Sequence, residues 1–205
     1  MTIFSFFIAY LLGSIPFALI VGKVFFGADI RYYGSGNLGA SNSIRILGKK
    51  AGLLVLIGDV SKGVIAASLP LWLNLDIDPL YIGFAAVFGH CFPIFAGFRG
   101  GKAVATTVGV LLISSSPLLV IGLATFLGAI VITKYVAVGS ILIAPNLFLY
   151  SLITGNTEYT ILFLIFIPFM LYLHRSNLRN IKNGTEPKIN DKNIKKDKIK
   201  NTKKK

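Results

Sequence analysis

Long apolar stretches, broken at intervals by glycine, proline and charge, organise this chain from residue 3 to residue 174. A membrane crossing takes about 20 apolar residues. On that measure the pattern predicts helices over about Ile3 to Lys23, Ala51 to Trp72, Pro79 to Phe98, Tyr135 to Ile153 and Tyr159 to His174. The run after Gly100-Gly101-Lys102 stays apolar to Thr133 but carries Ser114-Ser115-Ser116-Pro117 in its middle. Three hydroxyls and a proline favour a turn there, dividing the run into two helices. The first of these, Val104 to Ile113, is short: at 1.5 Å per residue it reaches only about 15 Å, half of the hydrocarbon core. It is expected as a partly sheltered span.

Charge chooses between six spans and seven, because Lys and Arg of short loops collect on the cytoplasmic side. The first connection holds Arg31, Arg45, Lys49 and Lys50, the next only Asp76 and Asp78, and the third Arg99 and Lys102. The Ser-Pro turn is uncharged, Lys134 marks the following junction, Glu158 stands alone in the next, and a Lys-rich tail comes last. Basic and non-basic connections alternate without exception if there are seven spans. The expectation is therefore an all-α integral membrane protein with seven transmembrane helices, N-terminus outside, C-terminus cytoplasmic. Residues 1–189 form one multi-pass domain in this reading, and 190–205 a disordered basic tail. No basic residue precedes the first helix and no small-residue cleavage site follows it, so it reads as a span and not as a signal peptide. No internal repeat suggests an inverted-topology transporter.

Composition agrees, with 54% hydrophobic and 14% charged residues and a mean hydropathy of +0.73. The formal net charge of +13 is unevenly placed, since 12 of the 21 Lys and Arg, but only 3 of the 8 Asp and Glu, follow His174. No aromatic residue follows Tyr172, so the basic tail offers bases no stacking platform and fits anionic lipid better than nucleic acid. The single cysteine, Cys91, excludes an intramolecular disulfide and reads as packing. With two histidines besides, a structural zinc site is not expected, nor is any metal or cofactor.

The connections placed in the cytoplasm are also those rich in glycine, asparagine and basic residues. The first runs from Asp29-Ile30-Arg31 through Gly34-Ser35-Gly36-Asn37-Leu38-Gly39-Ala40-Ser41-Asn42 to Arg45. Its glycines let the backbone approach a ligand and turn N–H groups toward it, Ser35, Asn37, Ser41 and Asn42 add neutral hydrogen-bonding groups, and Arg31 and Arg45 supply charge. A helix starting near Gly39 would add its positive end, completing a phosphate cradle. A turn that merely reverses the chain has the same composition. Gly100-Gly101-Lys102, with Thr106 on the helix that follows, repeats the logic in shorter form, although a lysine there also suits a membrane anchor. Beyond the last span lie His174-Arg175-Ser176-Asn177, then Gly184-Thr185-Glu186. His174 is a candidate proton carrier or phosphate ligand, and a basic helix end is the plain alternative. Within the spans, Asp59 and Lys62 stand three residues apart on one helix face and can pair. They are expected to support the cradle. His90 reads more readily as a hydrogen-bonded core residue than as a ligand.

Taken together, these segments resemble the bacterial membrane glycerol-3-phosphate acyltransferases that use acyl phosphate as donor, the PlsY family. Gly13-Ser14-Ile15-Pro16, the 29–45 loop, Asp59, Lys62-Gly63, Gly89-His90, Pro93, Gly100-Gly101-Lys102, Val104-Ala105-Thr106, His174-Arg175, Asn177 and Gly184-Thr185-Glu186 stand in the family's order. The resemblance implies a seven-helix enzyme of phospholipid biosynthesis in the bacterial inner membrane. It moves a fatty acyl chain from acyl phosphate to the 1-hydroxyl of glycerol 3-phosphate, giving lysophosphatidic acid and phosphate, and a soluble enzyme supplies the acyl phosphate. It further implies that Lys102, Arg45, His174 and Asn177 hold glycerol 3-phosphate and that Ser35, Gly36, Asn37, Gly39 and Asn42 cradle the acyl phosphate head. Ser41, Gly100, Gly101, Thr106 and Arg175 join the substrate-binding set, and Asp59, Lys62, His90 and Glu186 support it. His174, Lys102, Asn37 and Asn177 are the catalytic residues on this reading, and His174 and a substrate phosphate are both candidate acceptors of the hydroxyl proton. Three positions depart from the family pattern: Ala103 replaces a third glycine, Ser41 a threonine and Asn180 an arginine. A phosphate or organophosphate transporter is the alternative, since the same anion-binding residues would serve it.

Overall fold

A computed structural model of the chain describes residues 1–191, and among them there are helices and turns but no strand. The basic tail from residue 192 onward lies outside the described residues. Met1–Ser115 form one compact unit and the described residues from Ser116 onward another; the division falls at the serine-proline turn.

The first unit begins with α1 (Thr2–Gly13) and α2 (Phe17–Phe26), together a single apolar stretch of 25 residues. Pro16 has no N–H for the carbonyl one turn earlier, so the helix breaks at Ser14-Ile15-Pro16. Sequence reading gave one continuous helix here. After the loop come α3 (Ala40–Leu47), α4 (Lys49–Trp72), α5 (Pro79–Cys91) and α6 (Val104–Ser114). α4 shows which solvent it faces: Asp59 and Lys62 are buried with Ala51, Val55 and Gly58, while Leu53, Leu54, Leu56 and Ile57 point outward. Charge inside and leucine outside suits lipid, not water.

The short α6, 11 residues long, reaches about 16 Å. It is sheltered by close packing on α4: a methyl group on Gly63 would strike the Thr106 carbonyl, and one on Gly109 would strike the Val60 carbonyl. Small residues on both helices let their backbones approach this closely.

The second unit comprises α7 (Ser116–Thr133), α8 (Val136–Ile153), α9 (Thr157–Leu173) and α10 (Arg175–Lys182). Lys134, in the left-handed region at φ 65°, turns α7 into α8, and Asn156 caps α9 by accepting the Tyr159 N–H at 2.9 Å. α9 does not run on past His174; α10 leaves it at a bend of 57°. Among the described residues five helical segments have the length and apolarity of a crossing, and the α9–α10 pair makes a sixth. Of the seven expected spans, α6 does not meet this measure, and α9, at 17 residues, meets it only together with α10.

Candidate active site

The first glycine-rich loop is held at both ends. Asp29 caps a 3-10 turn over Ile30–Tyr32 by accepting the Arg31 N–H at 3.1 Å. The Arg31 guanidinium returns two bonds to the same carboxylate, at 2.9 and 2.6 Å, and a third to the Ala96 carbonyl at 3.0 Å. This guanidinium holds the Asp29 carboxyl down to about 2, against a usual 3.8. Arg31, which sequence reading counted among charges offered to a ligand, is thus a strap between the loop and the 94–96 turn.

Residues 33–39 wrap around the buried side chain of Asn42. Its Oδ1 accepts the Ser35 N–H at 3.1 Å, and its Nδ2 donates to the carbonyls of Tyr33 at 3.2 Å and Asn37 at 3.1 Å. Both amide hydrogens of Asn42 are engaged, so in this structure it braces the loop that it was expected to line. Gly36, at φ 68°, supplies the left-handed turn that brings the loop around. Ser35 and Ser41 remain exposed, with Gly36, Asn37 and Gly39 half-buried at the rim. α3 opens at Gly39 with no side-chain cap on its first N–H groups, and Arg45 is half-buried one turn further along.

The second loop lies on the end of α5. Gly101 N–H donates to the His90 carbonyl at 3.0 Å, and Leu38 N–H donates to the Gly100 carbonyl at 3.3 Å, which stitches the two loops together. Lys102 is half-buried and precedes Ala103, itself in the left-handed region at φ 56°. The family's glycine at this place has a physical reason, since a side chain in that conformation costs about 1 kcal/mol. α6 begins at Ala103, again without a side-chain cap. Thr106, expected on the ligand, is fully buried, and its hydroxyl makes no hydrogen bond among the described residues. The α4–α6 contact removes it from the loop surface.

Beneath these loops lies a buried ionic cluster. Lys62 Nζ is 2.9 Å from Asp59 Oδ1, and His90 Nδ1 is 3.3 Å from the same oxygen. Lys62 also donates to the Ile15 carbonyl at 3.0 Å, a group in the Pro16 break that also accepts the Phe17 N–H at 3.2 Å. Sequence reading paired Asp59 with Lys62 and counted His90 as a supporting residue without joining it to that pair; it missed the broken helix, whose signal was Pro16 within an apolar run.

The remaining candidates belong to the second unit. His174 is buried where α9 ends, with Nδ1 3.0 Å from the Met170 carbonyl. A carbonyl only accepts, so the proton sits on Nδ1 and a neutral ring carries its lone pair on Nε2. Asn177 donates to Glu186 Oε1 at 2.5 Å and Asn180 to Oε2 at 3.3 Å. Asn180, a departure from the family pattern, thereby joins Asn177 in a clasp on one carboxylate. Arg175 turns away: it is exposed, stacks 4.2 Å from the Tyr172 ring centre and donates to the Tyr172 carbonyl at 2.8 Å. That geometry suits a membrane-interface anchor.

A family model described as glycerol-3-phosphate acyltransferase matches residues 3–184. Glycerol-3-phosphate acyltransferase 3 of Bacillus anthracis is 50% identical over 189 residues, covering 92% of this chain and 96% of that protein. The Geobacillus kaustophilus (strain HTA426) enzyme is 46% identical over 190 residues, covering 92% and 96%. Among solved structures, the glycerol 3-phosphate form of PlsY (YgiH), an integral membrane glycerol 3-phosphate acyltransferase, aligns with a TM-score of 0.83 at 36% identity, covering 91% of this chain and 94% of that one. Its lysophosphatidic acid form aligns with a TM-score of 0.79 at 34% identity, with the same coverage. An all-helical integral membrane chain with several spans, it belongs to the glycerol-3-phosphate acyltransferase family.

Proposed function

We propose that this chain transfers a fatty acyl group from acyl phosphate to the 1-hydroxyl of glycerol 3-phosphate. The observation that carries the proposal is the pair of uncapped helix starts, α3 after one glycine-rich loop and α6 after the other, in loops joined by the Leu38–Gly100 hydrogen bond. Each start directs unsatisfied N–H groups and a partial positive charge at an anion. Two neighbouring phosphate sites are what a reaction between two phosphorylated substrates needs.

Ser35, Gly36, Asn37, Gly39 and Ser41 line the first site and receive the acyl phosphate head. Gly100, Gly101, Lys102 and Arg45 serve glycerol 3-phosphate, and His174 and Asn177 keep the substrate role that the resemblance implies. Acyl phosphate is a mixed anhydride, already activated toward attack, so positioning and charge stabilisation suffice without a covalent enzyme intermediate. The hydroxyl oxygen bonds to the acyl carbon, the bond from that carbon to the phosphate oxygen breaks, and the proton is balanced on the released phosphate. The product is lysophosphatidic acid.

We further propose that all seven expected spans, α1 and α2 counting as one, cross a bacterial inner membrane, N-terminus outside, with both loops on the cytoplasmic face. A soluble acyl-phosphate-forming enzyme then supplies the donor. Membership of an acyltransferase family decides against the organophosphate-transport alternative. The test is phosphate release by purified protein in lipid or detergent. Release is expected with acyl phosphate plus glycerol 3-phosphate, and not with either alone; activity with acyl-CoA in place of acyl phosphate would overturn the donor assignment.

A further inference from the structure

The buried cluster of Asp59, Lys62 and His90 meets the second loop through the His90 ring. His90 Nδ1 faces the Asp59 carboxylate at 3.3 Å, so its opposite edge is aimed by that contact. A methyl group built on Gly101 would overlap His90 Nε2. The ring edge therefore occupies the place where any other residue at 101 would carry a side chain, and the Gly101 N–H is tied to the His90 carbonyl at 3.0 Å. A methyl group built on Gly100 would likewise strike the His90 and Cys91 carbonyls.

We propose that Asp59 and His90 are positioning residues for acyl transfer. Asp59 fixes the rotation of the His90 ring, and the ring, seated against the Cα of Gly101, sets the height of Gly100-Gly101-Lys102 and of the α6 N-terminus. Lys62 holds the Asp59 charge in place and anchors the cluster to the Ile15 carbonyl. The effect reaches Lys102 through the backbone, so it falls mainly on the substrate of the second loop, and the single Leu38–Gly100 bond passes a smaller share to the first. This inference rests on the proposed assignment of Lys102 to glycerol 3-phosphate.

The test is a double-mutant cycle between residues 90 and 101, read as separate KM values for the two substrates. Gly101→Ala is expected to raise the KM for glycerol 3-phosphate at least about 30-fold, with the KM for acyl phosphate changed less than about twofold. His90→Ala raises the same KM about 10-fold. With the ring gone, adding Gly101→Ala costs less than about threefold more. Independent, multiplicative effects would overturn the proposal, as would equal changes in both KM values. If His90→Ala yields no folded protein, His90→Gln takes its place in the cycle, with the same expectation of less-than-multiplicative loss.

A separate readout guards the underlying assignment: labelling of Lys102 by an amine-reactive reagent, with and without glycerol 3-phosphate. Protection by glycerol 3-phosphate in wild type, together with multiplicative effects in the cycle, overturns the positioning role alone. Absence of protection in wild type, with transfer retained by Lys102→Ala, overturns the substrate assignment and the inference with it.

Discussion

Removing the Asn42 side chain isolates what holds the first loop in shape. Three hydrogen bonds link this buried amide to the backbone of Tyr33, Ser35 and Asn37. Asn42→Ala loses all three and leaves an N–H and two carbonyls to find water. At about 1 kcal/mol per bond, rising where a partner stays buried, the ordered loop loses about 2–4 kcal/mol relative to open conformations. At 1.36 kcal/mol per tenfold, that is a factor of about 30 to 1,000. Two measurements read it. Amide hydrogen exchange across residues 33–39 should speed up by that factor, and kcat/KM for acyl transfer should fall within the same range, since transfer needs the loop closed. Asn42→Asp keeps the acceptor for Ser35 but turns a carboxylate oxygen toward two carbonyls, so it should be no better than alanine. An exchange rate within threefold of wild type would refute the brace. So would a loss of activity with unchanged exchange, which would return Asn42 to direct contact with substrate.

Ala103 sits in the left-handed region with its methyl buried, so Ala103→Val should lower stability by about 2 kcal/mol or more. Ala103→Gly trades relieved strain for lost burial and should stay within about 1 kcal/mol of wild type; thermal unfolding in detergent checks both. Glu186→Ala opens the clasp on Asn177 and Asn180, at a cost of about 2 kcal/mol for two bonds to a charged acceptor. Exchange at residues 177–186 should rise and transfer should fall about tenfold or more. The Asp29–Arg31 pair contributes stability that is fully present above the usual carboxyl value of 3.8 and is lost as pH falls toward about 2. Asp29→Asn should therefore lower the unfolding temperature at pH 6, by an amount equivalent to about 1 kcal/mol. The gap to wild type should narrow at pH 3, and a gap constant with pH would contradict the pairing.

Much of the helical layout was legible because lipid imposes long apolar runs. The turn at Ser114–Pro117 marks the end of α6 and the start of α7, and even the shelter of the short α6 followed from its length. What composition could not give was the partner of each polar group. Arg31, Asn42 and Thr106 have the residue types of a phosphate site, yet one is a strap, one a brace and one core, because tertiary contacts 65 residues apart in the case of Arg31 and Ala96 leave no local periodicity to read. The same holds for His90, whose link to Asp59 joins α4 to α5. The last span was read to end at His174, but not the 57° bend there, which follows a histidine whose ring meets the Met170 carbonyl in the last turn of α9, a capping detail that hydropathy does not record.

The central claim is the coupling of two phosphate-bearing substrates, and product stoichiometry tests it most directly. Lysophosphatidic acid and inorganic phosphate are to be measured together, by mass spectrometry and phosphate assay, from purified wild type and Lys102→Ala given acyl phosphate and glycerol 3-phosphate. Equal molar amounts of both products from wild type, and neither from a folded Lys102→Ala, are predicted. Phosphate released without lysophosphatidic acid, or undiminished transfer by Lys102→Ala, would contradict the account.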